Sequence, residues 1–106
     1  MGSKCRPTLK MVANAKKGLK LRDRFGRGGT EVGVRRPHQL IDRTTLGEDD
    51  VKSMHSYFAR HEVDKKGSTH NWGSDTDPSA GYIAWLLWGG DEGKVWADRH
   101  HTALEN

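Results

Sequence analysis

The stretch Gly81-Tyr-Ile-Ala-Trp-Leu-Leu-Trp-Gly-Gly-Asp-Glu-Gly-Lys-Val-Trp96 holds three of the four tryptophans and nearly the only long apolar run in an otherwise polar chain. An aromatic side chain buries roughly 150–250 Å², so Tyr82, Trp85, Trp88 and Trp96 are placed to dominate the core. Ahead of the run, Asp77-Pro78 reads as an N-cap followed by a proline at the first helical position. A helix from there to Trp88 is apolar on every side, as a central buried helix would be. Gly89 and Gly90 stop it, Asp91 is placed to cap the next helix, and Val95 and Trp96 turn one face of that helix inward.

Toward the N-terminus, residues 62–77 are rich in turn formers and poor in apolar groups, so they read as a long loop, with Trp72 pinning it to the core. Thr45-Leu-Gly-Glu48 has the capping-box form, and Glu48, Asp49 and Asp50 fall where a helix dipole favours acids. Val51, Met54, Tyr57, Phe58 and His61 then line one side of a helix over about 46–61. Thr30 can cap a shorter helix containing Val32, Val34, Leu40 and Ile41, which Pro37 is expected to kink or split. The first helix, over about 8–25, starts with Pro7 in its first turn. Leu9, Val12, Ala15 and Leu19 recur on one face, extended by Leu21 and Phe25. Gly18 weakens its middle by about 1 kcal/mol relative to alanine, and Gly26 to Gly29 end it. Strand alternation and internal repeats are absent. The expected fold is all-α, a compact bundle of four to five short helices with one long loop. A single helical domain over 8–101 follows a disordered basic segment, 1–7, and precedes a frayed end, 102–106.

With 106 residues and 33% hydrophobic composition, the chain can bury only a modest core. It has no run of about 18 apolar residues that would span a bilayer and no apolar signal segment, so a cytosolic protein without a membrane partner is expected. The lone Cys5 can form neither an intramolecular disulfide nor a thiolate zinc site, and is expected to be an inert thiol. Charge is uneven: residues 1–27 carry nine bases against the single acid Asp23, a balance of +8, and the remaining nine bases and thirteen acids give −4. Such asymmetry points to nucleic acid or an acidic protein surface as partner. The candidate contacts are Lys10, Lys16, Lys17, Lys20, Arg22, Arg24 and Arg27, with Arg35 and Arg36 on the next helix. A solvated helix face that keeps the protein soluble would carry the same charges.

Other chemistry finds less support. The helices around 30–41 and 46–61 resemble a helix-turn-helix, but the end that would meet base edges is Glu48-Asp49-Asp50, of like charge to phosphate. The turn Gly26-Arg27-Gly28-Gly29 lacks the Gly-Lys-Ser/Thr ending of a Walker loop. His61, Glu62 and His70 could serve a metal-dependent nuclease, yet the cysteines or the closely spaced second histidine are missing. Asp75-Thr-Asp77 fails as an EF-hand, with Leu86 at its twelfth position. A nucleophile on a strained turn beside a histidine is not found, so no catalysis, metal or cofactor is expected.

Gly18-Leu-Lys-Leu-Arg22, Gly26-Arg-Gly-Gly-Thr-Glu-Val-Gly-Val34, the segment from Met54 through Ala59-Arg-His-Glu-Val-Asp-Lys65, Pro78-Ser-Ala-Gly-Tyr-Ile-Ala-Trp-Leu-Leu-Trp-Gly-Gly-Asp91 and Trp96-Ala97 together resemble a small helical domain of tailed bacteriophages and prophages. That domain occurs alone or beside head proteins such as the prohead protease. The likeness spans roughly residues 15–97. It departs at Arg36-Pro37-His38, where the relatives carry an uninterrupted Ala/Arg-rich helix. The resemblance implies a viral origin, a place in the host cytoplasm or on the virion, and an accessory role without catalytic residues. A head-assembly or structural accessory protein is the alternative it offers to nucleic-acid binding.

Overall fold

Thr8 opens the first helix: its Oγ1 accepts the Met11 N–H at 3.2 Å. The helix ends at Gly26, whose φ of 64° is the left-handed conformation that glycine adopts without penalty. The computed structural model describes residues 6–27, 31–66 and 70–105. Its helices are α1 (Leu9–Phe25), α2 (Glu31–Ile41), α3 (Glu48–His61), α4 (Ala80–Leu87) and α5 (Gly90–Glu105), with a 3₁₀ turn over Glu62–Lys66. Among the described residues there is no strand, only an isolated bridge between Asn71 and Pro78. The described residues are thus all-α, with five helices where four to five are expected. Thr30, Gly28, Gly29, Cys5 and the side chains of Val32 and Val34 lie outside the described residues.

Several helix starts differ from the sequence reading, each for a packing reason. Leu46 is buried, which keeps the chain extended up to Gly47 and moves the start of α3 two residues on. Asp50, rather than Glu48, then reaches back, accepting the Gly47 N–H at 3.2 Å. Ser79, not Asp77, caps α4, its Oγ accepting the Tyr82 N–H at 3.0 Å. Asp77 is left for another partner, described below. Pro37 sits inside a continuous α2 with its ring fully buried, so burial offsets the missing backbone hydrogen bond and the helix is not split. Arg6 and Pro7 are tied down: the Arg6 carbonyl accepts Trp96 Nε1 at 3.1 Å, and Arg43 Nε donates to the Pro7 carbonyl at 2.9 Å. At the other end, α5 stays helical as far as Glu105.

The inward face of α1 is Met11, Ala15, Gly18 and Leu21. Leu9 is 70% exposed instead of buried, and Val12 and Leu19 are half-buried. Gly18 accounts for this rotation. A Cβ placed there would stand 3.0 Å from both the Leu86 Cβ and the Leu87 backbone nitrogen. The glycine that weakens the helix in isolation is therefore what lets α1 lie directly on α4.

The apolar core has two parts. One gathers Met11, Leu40, Val51, Met54, Phe58, Trp85 and Trp96; the other gathers Leu21, Ile83, Leu86 and Leu87, and Trp88 packs against both. Val95 points outward, 56% exposed, while Gly93, Trp96 and Ala97 form the inner stripe of α5. Trp72 anchors the loop as expected, with edge contacts to Tyr82 and Trp85 at ring-centroid separations of 5.4 Å each. At the α4–α5 joint, Gly89 and Gly90 have φ of 114° and 69°. Asn14 Nδ2 donates to the Gly89 carbonyl and to Glu92 Oε1, each at 2.7 Å, tying this joint to α1.

Replacing Gly18 with alanine raises intrinsic helix propensity by about 1 kcal/mol, but overpacking costs about 1–3 kcal/mol. Gly18→Ala is therefore expected to lower the urea midpoint. A higher midpoint with an unchanged slope would refute the close α1–α4 contact.

Candidate nucleic-acid interface

The rotation of α1 sorts its bases into two groups. Lys16, Lys20 and Arg24 stand at i, i+4 and i+8 on the solvent side, all exposed. Neither Lys16 nor Lys20 has an ion-pair partner among the described residues, and Arg24 lies over the Phe25 ring at 5.2 Å. At about 1.5 Å per residue the three span about 12 Å. Asp23 is the one acid on this helix.

Lys17 and Arg27 have structural work. Lys17 Nζ pairs with Asp75 at 2.9 Å and approaches the Tyr82 ring, while Arg27 donates to Asp77 at 3.0 Å and to the Pro78 carbonyl at 2.9 Å. Asp77 also holds His70 Nδ1 at 2.8 Å. These contacts fasten the 70–79 loop to α1. The hydrogen bond from Arg27, aided by His70, holds the Asp77 carboxyl below its ordinary range despite some desolvation. The hydrogen bond that Lys17 donates to Asp75 holds the Lys17 ammonium pKa above its ordinary value.

Arg36 is likewise built into the fold. Its guanidinium lies 4.8 Å from the centroid of Trp88, donates to Gln39 and Asp50, and reaches Ser53 at 3.5 Å. Trp88 in turn stacks on Tyr57, with centroids 4.2 Å apart and planes within 6°. Burial pushes the Tyr57 hydroxyl well above its ordinary range, so it remains protonated. Asp50, at the start of α3, is thereby committed to Arg36. Arg35 is exposed, Arg22 is half-buried, and Lys10 stands apart from the stripe, at the edge of a groove between α1 and α5. Position in sequence could not separate these roles, because Lys16 and Lys17 are neighbours on opposite sides of the exposed boundary.

The nuclease reading finds its histidines dispersed. His61 Nδ1 is 3.1 Å from Asp64, whereas His70 is held by Asp77. Among the described residues no three histidine, cysteine or carboxylate side chains converge as metal ligands. A third pair, His55 with Asp98 at 2.9 Å, joins α3 to α5, and His101 stacks on His55 at 3.8 Å. Burial alone would raise Asp98, but Lys94 and His55 together hold it below its ordinary value. Sequence reasoning missed this seam because its residues lie forty-three positions apart. No helix among the described residues is long and apolar enough to cross a membrane. Comparisons of the chain with protein-family models, curated proteins and solved structures return no match.

Because Asp77 has a lowered folded pKa, its contribution is present above the ordinary carboxylate pKa and is lost as pH falls through the lowered value. Acid should release the loop before the helices melt. The expected readout is a change in the Trp72 indole NMR signal below about pH 4, while helical circular dichroism holds. Asp77→Asn should already show the released Trp72 signal at neutral pH. If Trp72 is unchanged in that variant, the clamp is not holding the loop.

Proposed function

We propose that this chain is a small non-enzymatic binding protein, encoded by a bacteriophage or prophage, whose outer α1 face docks on a nucleic-acid backbone. The observation that carries the reading is the exposed row Lys16, Lys20 and Arg24, whose cations are not consumed by the fold. Twelve ångströms of duplex present about seven phosphate charges, so each cation has a phosphate within reach. Such contacts position without reading sequence. Sequence-specific reading through α3 is disfavoured, since Glu48 and Asp49 are exposed and Asp50 is paired with Arg36 at the end that would enter the groove. The phage origin rests on the wording of the tryptophan segment and its neighbours, and a gene lying among head-protein genes would support it.

Binding to a duplex followed by fluorescence anisotropy should weaken steeply with salt. Replacing Lys16, Lys20 and Arg24 with alanine should flatten the log–log salt slope by about 2.5–3 units, near 0.9 per phosphate contact. Arg36→Lys should instead lower stability and leave the slope unchanged, because lysine cannot reproduce the planar stack and fork. Absence of any anisotropy change at low salt would remove nucleic acid as the partner. An acidic protein captured through the same three residues would replace it.

A further inference from the structure

The first turn of α1 and the start of α5 enclose an open groove of about 590 Å³, within the range of about 300–1,000 Å³ usual for ligand sites. Its apolar surface comes from Leu9, 70% exposed, Val95, 56% exposed, and the edge of Trp96 beneath them. Leu9 and Val95 are two of the four large apolar side chains that the described residues leave exposed, and both lie here. Isolated exposed leucines are ordinary, but two converging on one groove over a tryptophan mark an interaction site.

The charge around this floor is not balanced in effect. Lys10, Arg43 and Arg99 line the groove, and Lys10 and Arg99 have no ion-pair partner among the described residues. Arg43 spends only its Nε, on the Pro7 carbonyl. Of the two acids at the rim, Asp91 is paired with Lys65, whereas Glu92 keeps its charge, so three lining cations face one unpaired carboxylate and the groove is net positive. Asp91 accepts Trp85 Nε1 at 2.9 Å and Lys65 Nζ at 3.2 Å, and Glu92 accepts Asn14 Nδ2 at 2.7 Å. What the groove offers is therefore apolar area with a net positive edge, Lys10, Arg43 and Arg99 outweighing Glu92.

We infer that this groove docks an acidic segment of a partner protein, one carrying apolar side chains along one helical face and carboxylates beside them. Helix-in-groove recognition works through such anchors at i, i+3, i+4 and i+7, and the flanking cations give it orientation and an electrostatically steered on-rate. The five residues before Arg6 include Lys4 and no acid, so like charge disfavours them as occupant. The site is separate from the Lys16–Lys20–Arg24 row, and the two readings stand or fall independently.

The probe is a fluorescein-labelled helical peptide of glutamate with leucine at i, i+3, i+4 and i+7, titrated with the full chain. Saturable binding is expected, weakened about tenfold or more by Leu9→Asp or Val95→Asp, as for the central anchors of an interface. Both positions are exposed, so thermal melts should not move. The double variant Lys10→Glu, Arg99→Glu should also weaken it, and the alanine variants of Lys16, Lys20 and Arg24 should leave it intact. A lysine-for-glutamate version of the peptide should fail to bind. The inference is overturned if the acidic peptide does not saturate, if the lysine peptide binds equally, or if Leu9→Asp and Val95→Asp change nothing. It is equally overturned if sedimentation shows a self-associated protein that Leu9→Asp makes monomeric, since the occupant is then a second copy.

Discussion

The close approach of α1 to α4 at Gly18 governs the rest of the molecule. With only hydrogen on its α-carbon, Gly18 lets the α1 backbone meet Leu86 and Leu87 at distances a larger residue would not permit. That contact selects the rotation of α1. Met11, Ala15 and Leu21 then face the core, and the opposite side, with Lys16, Lys20 and Arg24, faces solvent. Leu9, which periodicity alone would bury, is carried to the rim of a groove. Both candidate interaction surfaces follow from this one packing constraint.

Polar contacts then fix the parts that the apolar core does not cover. Asn14 joins α1 to the α4–α5 turn, Lys17 and Arg27 hold the 70–79 loop, and Arg36 lies on Trp88 while gripping the start of α3. Lys65 does similar work over Trp85, at 4.7 Å from the ring centroid, while pairing with Asp91. Exposed ion pairs such as Lys17–Asp75 contribute only about 0–1 kcal/mol each and chiefly set position, whereas Arg36, largely covered between Trp88 and α3, also contributes packing. The functional consequence of these contacts is subtractive: they consume cations that would otherwise count as ligand contacts. The useful charge is what remains.

Much of the fold was legible because its signals are local. Helical spacing marks Val51, Met54, Tyr57 and Phe58 as one buried face, Gly26 and Gly89–Gly90 mark helix ends, and Trp72, alone among polar neighbours, marks the anchor of its loop. The errors in capping share a cause. Thr45 and Asp77 have the right side chains for a cap, but burial of Leu46 and pairing of Asp77 with Arg27 and His70 moved the caps to Gly47 and Ser79. At the candidate interface, the basic character of α1 is legible from composition, but the ranking of its residues is not. Lys17 and Arg36 look like Lys16 and Arg35 until Asp75 and Trp88 are brought beside them.

By itself, then, the sequence determined an all-α chain with a tryptophan-rich core and a basic first helix, since periodicity, caps and charge are properties of neighbouring residues. Tertiary structure alone decided which bases remain unspent and where exposed apolar side chains converge. The reason is physical: a charge or an apolar group becomes available to a partner only when the fold leaves it unpaired or uncovered. In this protein the competing partners, Asp75, Asp77, Asp50 and Trp88, lie far along the chain from the bases they take.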